Sequence, residues 1–501
     1  MLVRRSTSFL PFLARSSRSR THCVLHCRHN IFMESLQELD VLQAALNEAI
    51  DAIREELSTH NLPPLSTSGH APHPLDDPHY TPSPRIFEAR KLALGSIGQL
   101  RNLLQVPFEK VMEQYFGTYD TACMDVALRT GILDMISERK ACSVTELSDS
   151  LALDPRKVMT VMRYLAAQGW FLEPSHDTFS LSRAGLELRR GQNGRSWAQT
   201  PRMKVASCLL DMLTRPESKM SSSPLNTAFQ LAFKTPLPVF EYLQQHSLDM
   251  EQWSGSVRAY SNFHQRALMA DYPWEKFTPG TFVDCGGGQG YLSVLLAKRF
   301  KDSSFVVQDL LEMVPIARRN VLQYPEAAFA LENGRMVVEA HDFFHPQPRA
   351  ADVYIFKHIL HDWPDSVCVK ILKNTIKGNA NATILIIDYV ASPSSFSRPA
   401  ESPSTITPLG PATALTLRDL AGSSQYDSPI TPSAFMPQNF GAASLAPLGL
   451  GVHMLALYNA CERTFVEWEK IITAAGLCVT TLKSLRANAS VIECRAKNIA
   501  A

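Results

Sequence analysis

Apolar positions recur along this chain with two periods, and the change from one to the other marks its organisation. From Leu36 to about His60 the run LQELDVLQAALNEAIDAIREEL repeats at helical spacing. Residues 58–85, rich in Pro, Ser, Gly and His, break the pattern and predict a linker. Helical spacing resumes from Ile86 to Leu104 and continues through VMEQYFGTYDTACMDVALRTGILDMI, with Gly131 ending a helix. In 141–185, Ser143 and Glu146 stand at capping-box spacing, Asp154-Pro155 starts a second helix, and TFSLS follows Gly169 as a short strand. Helix, helix and hairpin predict a winged helix-turn-helix. Its second helix carries only Arg156, Lys157 and Arg163 among Met, Val and Tyr, which favours a scaffold or dimerisation module over a DNA reader. Residues 196–275 are helical and rich in aromatic and Met side chains, most of them core, with a few placed to wall an apolar pocket.

Beyond Thr281 short β-rich runs alternate with helical ones. Strands are predicted over Thr281–Val283, Ser304–Gln308, Arg335–Ala340, Ala351–Phe356 and Thr383–Ile387. After them come Asp284, Asp309, His341-Asp342-Phe343, Lys357-His358-Ile359-Leu360-His361 and Asp388. Chemistry-bearing residues thus recur at the carboxyl ends of successive strands, where open parallel sheets bind ligands. Residues 391–449 are Pro- and Ser-rich and predict a long, mostly disordered surface loop. The helix HMLALYNACERTFVEWEKIITAAG and two strands, Leu477–Leu482 and Ser490–Arg495, close the chain.

Composition narrows the function. The chain has 501 residues, 45% apolar and 19% charged, with a net charge of +1. That balance offers no electrostatic case for nucleic acid or an anionic membrane as partner. No apolar run reaches the ~20 residues that span a bilayer. The 10 cysteines follow no framework spacing, so a reduced, cytoplasmic setting is expected. Residues 1–32 are Arg- and Ser-rich and free of acids, the composition of a mitochondrial presequence or of a floppy tail before Met33. His22, Cys23, His26, Cys27 and His29 lack a second ligand pair at zinc spacing, and no metal centre is expected.

The turn after the first strand, Gly286-Gly287-Gly288-Gln289-Gly290, lets a ligand approach the backbone closely. Its spacing is not the G-x-G-x-x-G of a pyrophosphate site, which favours a nucleoside-type ligand and disfavours a nicotinamide reductase. Asp309 follows the loop by about 20 residues, where an acid that takes ribose hydroxyls belongs. Asp342 and Phe343 supply an acceptor and an apolar face for a base. His361 is suited to move a proton near neutrality. Asp388 and Glu462 are candidates to orient its ring.

Taken in order, VDCGGGQG, VVQDL, HDFF, KHILHDWPD, ILIIDYV and NACERTFVEWEKIITAAGL resemble the motifs of the plant-type (class I) S-adenosylmethionine-dependent O-methyltransferases, most closely their fungal secondary-metabolite branch. The resemblance covers about residues 86–390 and 452–495. It implies an α/β fold, a Rossmann-like methyltransferase sheet with an N-terminal helical winged-helix dimerisation domain. It implies S-adenosylmethionine as cofactor, held by Asp284, Gly286, Gly288, Asp309, Asp342, Phe343 and Lys357, and His361 as base with Asp388 and Glu462 behind it. The expected partners are a phenolic or polyketide-type substrate and a second copy of the chain. Two departures stand out: Asp388 where the family often has Glu, and Gly451 where an acid commonly stands. The domains expected are a basic leader (1–33), a helix and linker (34–85), a helical and winged-helix domain that lines the substrate (86–270) and a catalytic domain (271–501) with an insertion at 391–449. The alternative function is a non-catalytic winged-helix regulator or scaffold of a biosynthetic pathway.

Overall fold

A computed structural model describes residues 19–69, 71–396 and 415–497, with side chains from residue 37 onward. Residues 1–18 of the basic leader lie outside the described residues, and the side chains of its His/Cys cluster are likewise outside them.

The N-terminal helix α1 (Ser19–Thr59) begins well before the predicted Leu36. It pairs with α2 (Pro84–Leu104), burying Leu42, Ala45 and Ala49 against Ala89, Leu92 and Ala93. Ser83 caps α2, its Oγ accepting from the Ile86 N–H. Helices α3 (Pro107–Phe116), α4 (Thr118–Arg129) and α5 (Ile132–Arg139) lead into the winged unit. There strand β1 (Ala141–Ser143), α6 (Val144–Leu151), α7 (Pro155–Ala167), β2 (Phe171–Ser175) and β3 (Thr178–Leu181) assemble with the sheet order β1-β3-β2. The capping box forms: Ser143 Oγ accepts from Glu146 N–H at 3.2 Å, and Glu146 accepts from Ser143 N–H at 2.7 Å. Arg163 on the second helix donates to Glu173 and Asp177 of its own wing, each at 3.1 Å, so this cation is engaged within the module.

The long helix α8 (Ser247–Asp271) passes to the catalytic sheet, whose strands are β4 (Thr281–Cys285), β5 (Ser304–Asp309), β6 (Met336–Ala340), β7 (Val353–Lys357), β8 (Thr383–Asp388), β9 (Leu477–Ser484) and β10 (Ser490–Ala496). Their order is β9-β10-β8-β7-β4-β5-β6. The five strands from β8 to β6 are parallel, and β10 and β9 add an antiparallel edge. Helices cover both faces, which is why β8 is buried at all six positions and reads as an unbroken apolar run ahead of its terminal Asp388. The chain reverses direction across the sheet between β4 and β7. Ligands bind at such a switch point, outside the carboxyl ends of the two strands.

Two predicted elements need correction. Residues 415–440 are not a disordered surface loop: Leu417, Leu420, Ile430, Met436 and Phe440 are buried on α1 and α2, and Tyr426 Oη donates to the buried Glu88 at 2.5 Å. The Pro and Ser residues dominate the composition of this stretch, but widely spaced apolar anchors hold it down. Also, the predicted final helix is two helices, α11 (Leu445–Tyr458) and α12 (Phe465–Ala474), after α9 (Tyr291–Arg299) and α10 (Asp365–Thr375). Asn459 adopts φ +55° and ends α11, so Glu462 lies in the break, not on a helix. The stretch Gly441–Tyr458 is apolar enough to match a membrane span in length and hydropathy, and it buries Met454, Leu457 and Tyr458 against Phe229 and Tyr242.

Candidate active site

The first half of the site is the turn after β4. The N–H groups of Gly286 and Gly287 both donate to the Gln308 carbonyl, folding the loop over β5. Gly286 has φ +71°, and a Cβ there would come within 2.7 Å of Ile359 and 3.5 Å of Phe343. Gly288 has φ +55° and open space where a Cβ would stand. Asp309, at the end of β5, accepts from Gly288 N–H and Leu310 N–H, each at 2.8 Å. A carboxylate has capacity for further hydrogen bonds, so Asp309 stands pre-oriented to take two hydroxyls. Burial pushes its pKa up against those two backbone donors. Phe343 borders Gly286 and meets Phe344 and Trp363 edge-on. Asp342 accepts from the Phe344 N–H at 2.9 Å and lies 3.2 Å from His345, a turn-capping role that leaves it part-exposed.

These residues fit an S-adenosylmethionine: a cradle without Cβ atoms, a backbone-pinned carboxylate for the ribose and an aromatic edge for the adenine. Asp284 and Lys357 lie deeper. Asp284 is buried, accepts from Ser293 Oγ at 3.0 Å, and is pushed by burial up to about 6. Lys357 ends β7 and donates to Ser261 Oγ of α8 at 2.9 Å; burial lowers it to about 8, against the pull of Asp284 and Asp388.

The second half is built around His361, in a single 3₁₀ turn after β7. The ring is buried, and its Nδ1 lies 2.7 Å from Glu462 Oε1. Asp362 Oδ1 is 3.6 Å from Nε2. Asp388 Oδ1 is 4.0 Å from Nδ1, which is too far for a hydrogen bond. Of the two predicted orienting acids, Glu462 therefore holds the ring and Asp388 does not; the aspartate at the β8 end is one methylene short of reaching it. Burial works against charge on His361, but Asp362, Glu462 and Asp388 together outweigh it and raise its pKa to about 10. Burial pushes Asp388 up, to about 8, against the pull of His361.

Arg463 explains why the HDW and ERT segments belong together. Its buried guanidinium donates to the Leu360 and Trp363 carbonyls, at 3.2 and 2.6 Å, and to Asp365 at 2.8 Å. This clamp fixes the α11–α12 break against the His361 turn and so delivers Glu462.

Three residues that were assigned no individual role from the sequence also converge here. Tyr260 and His264 stand one helical turn apart on α8, and their rings lie 4.9 and 5.2 Å from that of His358. His358 adopts φ +54° just after β7, its ring tilted against that of His361 with centres 5.6 Å apart. The visible signals were the polar rings at i and i+4 in an aromatic-rich helix, and a second His three residues before His361. His358, His361 and Asp388 also bring possible metal-ligand atoms within 4.8 Å of one another, although Glu462 already occupies His361 Nδ1. Met454 is buried in the core, and Asn459 Nδ2 donates to the Ser223 and Asn226 carbonyls. A groove of about 1190 Å³ elsewhere, bordered by Arg90, Tyr389 and Arg486, includes none of the residues around His361.

Residues 218–404 match the model of the O-methyltransferase domain. The 3-O-methyltransferase 2 of Phanerochaete chrysosporium is 27% identical over 412 residues, covering 80% of this chain and 85% of that protein. The O-methyltransferase tpcA of Aspergillus fumigatus is 25% identical over 455 residues, covering 82% and 88%. A solved structure of the O-methyltransferase NcsB1 from neocarzinostatin biosynthesis, in complex with S-adenosyl-L-homocysteine and 1,4-dihydroxy-2-naphthoic acid, is 20% identical with a TM-score of 0.54, covering 79% of this chain and 98% of that one. At that identity the likeness is one of fold. The chain carries an O-methyltransferase domain, and the enzyme is an S-adenosylmethionine-dependent O-methyltransferase.

Proposed function

We propose that this enzyme methylates a hydroxyl of an aromatic or polyketide-type small molecule, with His361 as the general base and Glu462 as the residue that positions it. The observation that carries this reading is the buried His361 ring, held 2.7 Å from Glu462 at the switch point of the sheet. S-adenosylmethionine supplies an electrophilic sulfonium methyl. Gly286, Gly288, Asp309 and Phe343 would border its nucleoside, with Asp284, Asp342 and Lys357 as the further residues expected to hold it. Glu462 holds Nδ1, which leaves Nε2 as the atom that takes the hydroxyl proton.

The electrostatics suit that transfer. A phenol ionises near ~10 and is protonated at neutral pH. His361, at about 10, carries a proton at neutral pH in the cofactor-free enzyme, so it acts as the base only once that proton has left. A like charge brought beside His361 lowers its pKa and populates the neutral ring. Holding both reactants in a buried site contributes further, since effective molarities of order 10⁵ M or more are attainable.

We place the enzyme in the fungal secondary-metabolite branch, working as a homodimer in the cytoplasm. Support for the dimer is the apolar surface of α3, which buries no residue and leaves Phe108 70% and Tyr115 76% exposed. Support for a reducing compartment is that all eight described cysteines, from Cys123 to Cys494, are unpaired. The test of the reaction is a screen of phenolic extracts with methyl-labelled cofactor. Label in an O-methyl ether bears the reading out; tight cofactor binding with no labelled phenol in any extract contradicts it.

A further inference from the structure

Buried side-chain atoms that make no hydrogen bond are few in any fold, because each costs on the order of 1–3 kcal/mol. Of the fourteen among the described residues, seven belong to one cluster: Tyr260 Oη, His264 Nε2, both ring nitrogens of His358, both carboxyl oxygens of Asp388, and Glu462 Oε2. The remaining seven are scattered across the protein. This concentration lies directly beside His361 and points to a ligand that supplies what the protein leaves unmet.

We propose that Tyr260, His264 and His358 form a subsite for a second oxygen of the methyl acceptor, one on the ring carbon next to the reacting hydroxyl or across a peri position from it. The proposal rests on the phenolic reading above and adds to it a substrate class: vicinal diols and phenols with a neighbouring hydroxyl or carbonyl.

The donor and acceptor inventory supports this. His264 Nδ1 donates to the Tyr260 carbonyl at 2.8 Å, so its Nε2 is a bare acceptor aimed away from the helix backbone. Burial holds the His264 and His358 pKa values down, at about 4 for His264, so both rings are neutral. A neutral His358 then offers one donor and one acceptor. Its Nδ1 stands 3.6 Å from Asp388, outside hydrogen-bond reach. Burial raises the Tyr260 pKa, which keeps its hydroxyl a donor. These three side chains can thus give one hydrogen bond to an oxygen and take one from it, as a hydroxyl requires, or give two, as a carbonyl accepts. Because His358 and His361 are 5.6 Å apart at their ring centres, oxygens on adjacent ring carbons can meet both rings at once. A lone phenol engages His361 and leaves the subsite unmet.

The test compares matched acceptor pairs with the full-length enzyme and labelled S-adenosylmethionine: catechol against phenol, and 2,3-dihydroxynaphthalene against 2-naphthol. The expected wild-type kcat/KM is at least about tenfold higher for the diol of each pair, the effect of one buried hydrogen bond. His358→Phe and His264→Phe bring that ratio toward one, mainly through the diol's KM, while His264→Gln, which keeps a hydrogen-bonding atom near Nε2, preserves it. Cofactor affinity, measured in parallel, shows that each variant is folded. Equal wild-type rates within pairs, or a ratio that neither Phe variant moves, overturns the proposal. Methylation of none of the four probes, with cofactor bound, instead overturns the phenolic reading beneath it. Activity lost to EDTA and restored by zinc overturns the proposal by assigning the subsite to a metal.

Discussion

Glu462 Oε1 lies 2.7 Å from His361 Nδ1, although the two residues are 101 positions apart in the chain. Neither sits in a long helix or strand: one is in a 3₁₀ turn after β7, the other in the break between α11 and α12. The contact exists because Arg463 ties the same two segments together through backbone carbonyls. Asp388, on a rigid strand end, stays at 4.0 Å. Glu462→Gln keeps a hydrogen bond but removes the charge that favours the imidazolium, and it should cost at least about tenfold in kcat. Asp388→Asn should cost less, because Asp388 stands 4.0 Å from the ring and makes no hydrogen bond to it. Steady-state kinetics of the two variants check the ranking, and an equal or reversed order contradicts it.

Removing Arg463 should unfasten the site. Arg463→Leu keeps much of the volume but removes the guanidinium hydrogen bonds to the Leu360 and Trp363 carbonyls, which keep only Cys368 Sγ and, for Leu360, the Trp363 N–H. At about 1–2 kcal/mol for each of the two hydrogen bonds removed, a loss of about 2–4 kcal/mol is expected in urea unfolding. Activity should fall further than stability accounts for, since Glu462 loses its placement; a variant as active and as stable as wild type contradicts the clamp.

Protonation of the His361 cluster makes a signed prediction. The folded His361 pKa, about 10, lies above the ordinary value of 6.5, so the folded state binds a proton that the unfolded state releases between those values. Its contribution to stability is full below pH 6.5 and is lost as pH rises through about 10. Asp388, raised from 3.8 to about 8, acts in the same direction over its own window. The cofactor-free enzyme should therefore lose stability from pH 6.5 to 10 more steeply than His361→Gln does, as read from unfolding midpoints. Equal slopes contradict the raised pKa. Turnover should show the opposite trend, with an acid limb along which kcat rises with pH.

Much of this was legible in the sequence, and the exceptions have physical causes. The five parallel strands of the sheet were readable because buried parallel strands are short apolar runs that end in polar residues, as Thr383–Asp388 does. His361, Asp309 and the glycine turn followed from their places at strand ends. The burial of residues 415–440 was not legible, since Leu417, Ile430 and Phe440 are spaced by chain geometry and not by any helical or strand period. Nor was the break at Asn459: local pattern favours a continuous helix there, and the interruption is fixed by tertiary bonds to Ser223 and Asn226. The subsite was invisible for a similar reason, because α8 and the β7 end meet only in the folded protein.

The glycine turn tests cofactor binding separately from chemistry. Gly286→Ala places a Cβ within 2.7 Å of Ile359 in a backbone with φ +71°. A left-handed alanine alone costs about 1–2 kcal/mol, and the displaced Ile359 and Phe343 should weaken cofactor binding further. Isothermal titration with S-adenosylhomocysteine measures this; unchanged affinity contradicts the cradle.

The exposed face of α3 predicts the assembly state. Light scattering should give the mass of two copies for wild type, and Phe108→Glu should give one copy with the fold intact by circular dichroism. A monomeric wild type contradicts the dimer.

The central claim is that His361 takes the proton from the methyl acceptor. The most direct measurement pairs cofactor titration with single-turnover transfer of labelled methyl in His361→Ala, using a phenol that wild type methylates. Cofactor affinity within a few-fold of wild type, with transfer slowed by about 10²–10⁴, is the predicted result. Transfer at the wild-type rate in that variant contradicts it.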